Sequence, residues 1–168
     1  MSARNKDQSV KRRLKNIARA TDKDYNFVCI QYMQERFLAR LGKSFYRDNF
    51  ILKGALLLLA YQIPLVRPSK DIDFLGRKTS NNIDAISSTI KQIAKIDLQD
   101  GVFFKQNELD VEQITEDAEY GGLRFKIPAI VGGDYQRLQL DVGFGDIMVD
   151  APLDSQYPSL LEFPPPKY

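Results

Sequence analysis

Two aspartates spaced two apart, Asp71 and Asp73, hold the clearest chemical potential in this 168-residue sequence. They stand in Asp71-Ile72-Asp73-Phe74-Leu75, which reads as a strand ending at Gly76. Alternate side chains of a strand share a face, so both carboxylates point one way while Ile72 and Phe74 point into a core. Carboxylates held side by side repel each other unless a cation lies between them. Upstream, Phe50-Ile51-Leu52 reads as a short buried strand that passes through Lys53 to Gly54-Ala55, where a helix to about Tyr61 begins. A helix start presents backbone N–H groups and the positive end of a dipole. Small residues there let a phosphate approach the backbone. The combination suits a phosphate grip beside a divalent-cation site, as nucleotidyl transfer requires. Each part also has a plainer reading. A lone Asp-x-Asp is the usual look of a solvated strand edge, and Gly54-Ala55 can be a tight turn that needs small residues for packing.

A third carboxylate would complete such a site. Leu138-Gln139-Leu140-Asp141-Val142-Gly143 alternates apolar and polar, which puts Asp141 on a face with Gln139 and Gly143. An acid in an otherwise apolar strand is costly unless paired, metal-bound or turned to solvent. Asp146 and Asp150 are rivals in a loop. Arg67, Ser69 and Lys70 precede the aspartate pair, where they can meet phosphate oxygens or simply flank Pro68 in a polar loop.

Composition removes other chemistries. The chain has no histidine, so Ser-His-Asp and Cys-His mechanisms and His-based zinc sites are excluded within it. Metal chemistry then falls to carboxylates, which favour Mg²⁺ or Mn²⁺. Cys29 is alone and no apolar run is long enough to span a membrane. The N-terminus is polar and basic, unlike a secretory leader. These features set the expectation of a cytoplasmic protein with no membrane partner. Net charge is only +2, but residues 1–19 carry Arg4, Lys6, Lys11, Arg12, Arg13, Lys15 and Arg19 against Asp7 alone. That end is either a solvated helix face or a contact for RNA or an acidic partner.

The positioning elements follow from periodicity. Val10, Leu14, Ile17 and Ala18 make one helical stripe. A second helix is expected from an Asp24 cap to Gly42 as its C′ residue. Ser80-Asn81-Asn82 caps another, with Ile83, Ile86, Ile90 and Ile93 on one face. Later strands are expected at 109–115, 122–131 and 136–144, the last two joined by Gly132-Gly133-Asp134. Beyond Asp150 the Pro-rich stretch should be extended. The whole reads as α+β, a mixed sheet with helices against it. It divides into an N-terminal helical segment (1–49), a core (50–150) and a Pro-rich tail (151–168).

Taken in order, Lys53-Gly54-Ala55-Leu56, Arg67-x-Ser69-x-Asp71-Ile72-Asp73, Tyr120-Gly121-Gly122-x-Arg124 and Asp141-Val142-Gly143-Phe144-Gly145-Asp146 resemble the AbiEii/AbiGii-type abortive-infection nucleotidyltransferase toxins. Glu35-Arg36-Phe37-Leu38 resembles that family too. The resemblance implies a DNA-polymerase-β-like nucleotidyltransferase fold and the toxin role in a bacterial toxin–antitoxin system of phage defence. It implies transfer of nucleotides from a nucleoside triphosphate to an RNA acceptor, tRNA foremost, with a cognate antitoxin as partner. It also implies a further helical half, opening on an Ala-Glu-Lys-like motif and supplying a lysine and another acid, which lies outside this chain.

On this reading Asp71, Asp73 and Asp141 hold two Mg²⁺ ions, and Lys53, Gly54, Ala55, Arg67 and Ser69 hold the nucleotide. Two alternatives stand beside it. One is a catalytically inactive remnant that binds only nucleotide or antitoxin. The other keeps the fold but transfers a phosphate rather than a nucleotide.

Overall fold

The computed structural model describes residues 2–61, 69–114, 121–145, 153–154 and 156–167. Arg67, Pro68, Tyr120, Asp146 and Asp150 lie outside the described residues.

A six-stranded mixed sheet forms the centre, with order β1 (Phe50–Lys53), β2 (Asp71–Gly76), β6 (Asp134–Gly143), β5 (Gly122–Val131) and β3 (Val102–Phe104). The sixth strand, β4 (Asp110–Ile114), pairs with the other half of β5's outer edge. β2 and β6 run parallel, and the remaining pairs are antiparallel. Sequence alternation decides which face is dry. Ile72, Phe74, Leu123, Phe125, Ile127, Leu138, Leu140 and Val142 are buried, while the residues between them are partly exposed.

Helices α1 (Ala3–Thr21), α2 (Tyr25–Lys43) and α4 (Ile83–Lys95) contribute to the core behind that apolar face. Val10, Leu14 and Ala18 of α1 are buried, as the stripe requires, and so are Ile86, Ile90 and Ile93 of α4. Asp24 caps α2 by accepting from the Phe27 N–H at 3.2 Å, and Asn82 caps α4 by accepting from Ala85 N–H at 3.0 Å. Strands 122–131 and 110–114 match expectation closely, and β3 is an additional short strand.

Three expectations are corrected. Gly42 does not end α2; the helix continues to Lys43 with Ser44 as cap. Gly42 is small because the Lys167 backbone carbonyl packs where a Cβ would sit. The turn between β5 and β6 is two residues long, Gly132-Gly133, both with positive φ (54° and 86°), so β6 starts at Asp134. The described part of the tail is not a free extended strand. Gln156 bridges Lys167, the Tyr157 N–H donates to Pro166 O at 2.9 Å, and Tyr157 is buried.

Charged groups hold that tail and the helical layer together. Arg40 donates to both Asp100 oxygens (2.8 and 3.0 Å) and to Val102 O. Arg36 Nε lies 3.2 Å from Asp100, and its Nη2 donates to Pro164 O at 2.8 Å. Glu35 accepts from the Ser159 hydroxyl and the Leu160 N–H, both at 2.9 Å. All four charged residues are at most 2% exposed. Burial pushes the Glu35 carboxyl up to about 7, against the pull of Leu160 N–H and Arg36.

Removing one partner of a buried pair strands the other charge in a medium that cannot solvate it. Asp100→Ala should therefore cost about 3–5 kcal/mol in urea unfolding. A loss under about 1 kcal/mol, the scale of an exposed pair, would show that the network does not hold the helices to the sheet.

Candidate functional site

Asp71 and Asp73 both lie on β2's polar face, as alternation requires. The parallel register sets Asp73 opposite Asp141 and Asp71 opposite Gln139. Extending the register across the sheet gives one lateral row: Lys53, Asp73, Asp141, Arg124 and Glu112, each on a neighbouring strand. Neighbouring strands lie about 4.8 Å apart, so the row is a line of charges within mutual reach. A second row, Asp71, Gln139, Lys126 and Asp110, runs beside it.

The acids feel one another. Burial, then the Asp141 charge, hold the Asp71 carboxyl above the ordinary value of 3.8. Burial, then Asp141 and Asp71, do the same to Asp73, with Lys53 pulling the other way. Gly54 sits against this pair. Its φ of 72° and ψ of −158° suit glycine, and a Cβ there would collide with the Asp73 carboxylate. Ala55 opens α3 (Ala55–Ala60), directly after Gly54 and β1. The strand–Gly–helix arrangement expected upstream of the acids is therefore present and packed onto them.

Ser69 takes a more local position. Its hydroxyl donates to the Asp71 carbonyl at 3.1 Å, and its own carbonyl accepts from Gln34 Nε2 at 2.7 Å. These bonds fix the entry to β2. Two cavities of about 550 and 560 Å³ lie on the helical side, and neither is lined by the three aspartates.

Arg124 is the residue the sequence reading passed over, having placed it only in a motif. It grips Asp141 at both oxygens, Nε to Oδ1 and Nη2 to Oδ2, each 2.9 Å. Its guanidinium pKa is raised first by that hydrogen bonding. Gln139 Nε2 also approaches Asp141 at 3.5 Å. Among the described residues, no three acids converge closely enough to hold an ion. Three acid side chains thus share a face and a charge field, while Asp141 is turned toward arginine. They offer hard oxygen donors, the kind that Mg²⁺-type cations take, from one face of the sheet.

The chain combines a mixed sheet backed by helices with an Asp-x-Asp strand, a Gly-Ala turn beside it and an acid on the parallel neighbour. The model of the family described as "Nucleotidyl transferase AbiEii toxin, Type IV TA system" matches residues 36–168, and the chain belongs to that family. Solved structures similar to it include a "putative nucleotidyltransferase from H. pylori" (20% identity, TM-score 0.42, 74% of this chain and 47% of that one). Another is JHP933 from Helicobacter pylori (22% identity, TM-score 0.41, 70% of this chain and 46% of that one). The chain thus spans about half the length of these structures. No curated protein sequence matches it. Among the described residues, no helix is long and apolar enough to cross a membrane.

Two outcomes test this geometry. Gly54→Ala should destabilise the fold by about 1–3 kcal/mol, because the backbone there suits only glycine; an unchanged melting temperature would contradict the close packing on Asp73. The raised Asp71 and Asp73 values mean that the folded chain binds these protons more tightly than the unfolded chain. Stability from this source is complete below pH 3.8 and is lost as pH rises through the raised values. In chelator, Asp73→Asn should be more stable than the parent at neutral pH, and the gain should vanish below pH 3.8. Urea unfolding across that range reads both limbs.

Proposed function

We propose that this chain carries the nucleotide- and metal-binding part of a nucleotidyltransferase toxin, transferring nucleotides from a nucleoside triphosphate to an RNA acceptor, with tRNA the leading candidate. The observation that carries this is the register of Asp73 against Asp141 on parallel strands, with Asp71 on the same face. Family membership adds the class of reaction and the type IV toxin–antitoxin setting, in which a cognate antitoxin is the partner. The proposed setting is the bacterial cytoplasm, in defence against phage. Residues 50–150 would carry the reaction, the helices of 1–49 would back it, and 151–168 would be held against them.

Asp71, Asp73 and Asp141 would hold Mg²⁺ or Mn²⁺. Such ions supply charge neutralisation for the triphosphate and make a hydroxyl nucleophilic at neutral pH. The chain's own residues do the positioning. The Gly54-Ala55 backbone lets triphosphate oxygens approach, and Lys53, one strand from Asp73, adds positive charge beside them. Arg67 adds more charge. Ser69 would donate to a phosphate oxygen by turning its proton away from the Asp71 carbonyl. The acceptor hydroxyl's proton has no histidine to receive it, so a carboxylate of the row is the available base.

Asp71→Asn and Asp73→Asn should each lower incorporation of labelled nucleotide into tRNA by at least about 100-fold, since the chemistry is chiefly electrostatic. Incorporation at the parent rate would remove the assignment. Turnover by the 168-residue chain itself would remove the inactive-remnant alternative, and product mass would separate nucleotide transfer from phosphate transfer.

A further inference from the structure

Asp141 is the acid of the row whose two oxygens are both engaged, and Arg124 engages them. A two-point guanidinium–carboxylate contact is among the stronger polar pairs. Its side chains are 30% and 17% exposed, so solvent screens it only in part. The remaining nitrogen, Nη1, lies 3.9 Å from Glu112 Oε1. Lys126 Nζ approaches the same oxygen at 3.3 Å. Arg124 therefore stands between two carboxylates in one register row, Asp141 on the inner strand β6 and Glu112 on the outer strand β4.

From this we infer that Arg124 is a positioning residue that competes with a divalent cation for Asp141. While the pair is closed, each Asp141 oxygen already accepts from the guanidinium, so a metal would meet a carboxylate whose charge is neutralised. A cation gains Asp141 only when the guanidinium releases it. The released guanidinium has somewhere to go: toward Glu112, or toward the phosphate oxygens of a nucleotide over the same face. A divalent cation would add two positive charges beside Asp71, Asp73 and Asp141, while the guanidinium keeps a carboxylate partner in Glu112. The inference rests on the reading of Asp71, Asp73 and Asp141 as metal ligands.

The test is a Mn²⁺ titration of the 168-residue chain without nucleotide, read by calorimetry or by the free-ion resonance. Arg124→Gln should bind Mn²⁺ at least about tenfold more tightly, the gain from no longer breaking a charge-assisted pair. Arg124→Lys keeps the charge but cannot span both oxygens, so it should fall between parent and Arg124→Gln. Lys126→Gln removes a positive charge from the adjacent row and should change affinity about twofold or less. Asp73→Asn should abolish tight binding in every background. Equal gains from Arg124→Gln and Lys126→Gln would reduce the effect to general charge and overturn the inference. So would an unchanged affinity in Arg124→Gln with binding still dependent on Asp73; the metal-site reading would then survive alone. Mn²⁺ binding indifferent to Asp73, or absent throughout, would overturn the metal-site reading and this inference together.

Discussion

Everything proposed for this chain depends on the parallel pairing of β2 with β6. Parallel neighbours cannot be joined by a hairpin, so the chain must leave β2, build α4 and the outer strands, and return. The return is what sets Asp141 beside Asp73. A shift of one residue in that pairing would send Asp141 to the apolar face and Leu140 or Val142 to the polar one, at a cost no local contact could offset. Burial of Ile72, Phe74, Leu140 and Val142 fixes the acids indirectly, by making every other register worse.

The two kinds of charge in the molecule are handled differently. On the sheet's open face, acids and bases alternate imperfectly: two carboxylates stand adjacent, flanked by Lys53 and Arg124. That imbalance is the chemical potential of the site. Behind the sheet, Glu35, Arg36, Arg40 and Asp100 are buried and locally matched, with the Pro164 and Val102 carbonyls taking further guanidinium donors. The first arrangement invites an outside ion, whereas the second leaves little for one to do.

Much of this was legible in residue order. The alternation in β2 and β6 gave the shared face of the acids, and the cap residues Asp24 and Asn82 gave two helix starts. The Arg124–Asp141 pair was also within reach. With a two-residue turn at Gly132-Gly133, Val131 faces Asp134, and seven steps along each strand bring Arg124 to Asp141. Counting Asp134 as part of the turn hid that register. The fate of Gly42 and the buried charges was beyond local reading. Both depend on partners far along the chain, Lys167 for the glycine and Asp100 for Arg40, and no periodicity encodes such meetings.

The buried cluster behind the sheet also constrains how this protein can change. Losing Asp100 alone leaves Arg40 with no carboxylate and Arg36 with Glu35 only, and losing Arg40 alone leaves Asp100 with Arg36 as its one arginine and takes a donor from the Val102 carbonyl. A single substitution at any of these positions removes a charge partner in a dry setting, so the cluster is exchanged at least cost by replacing several members together. The helical backing is then the part of the molecule least tolerant of single substitutions, while the partly exposed row beside the acids is constrained by its ligand rather than by burial.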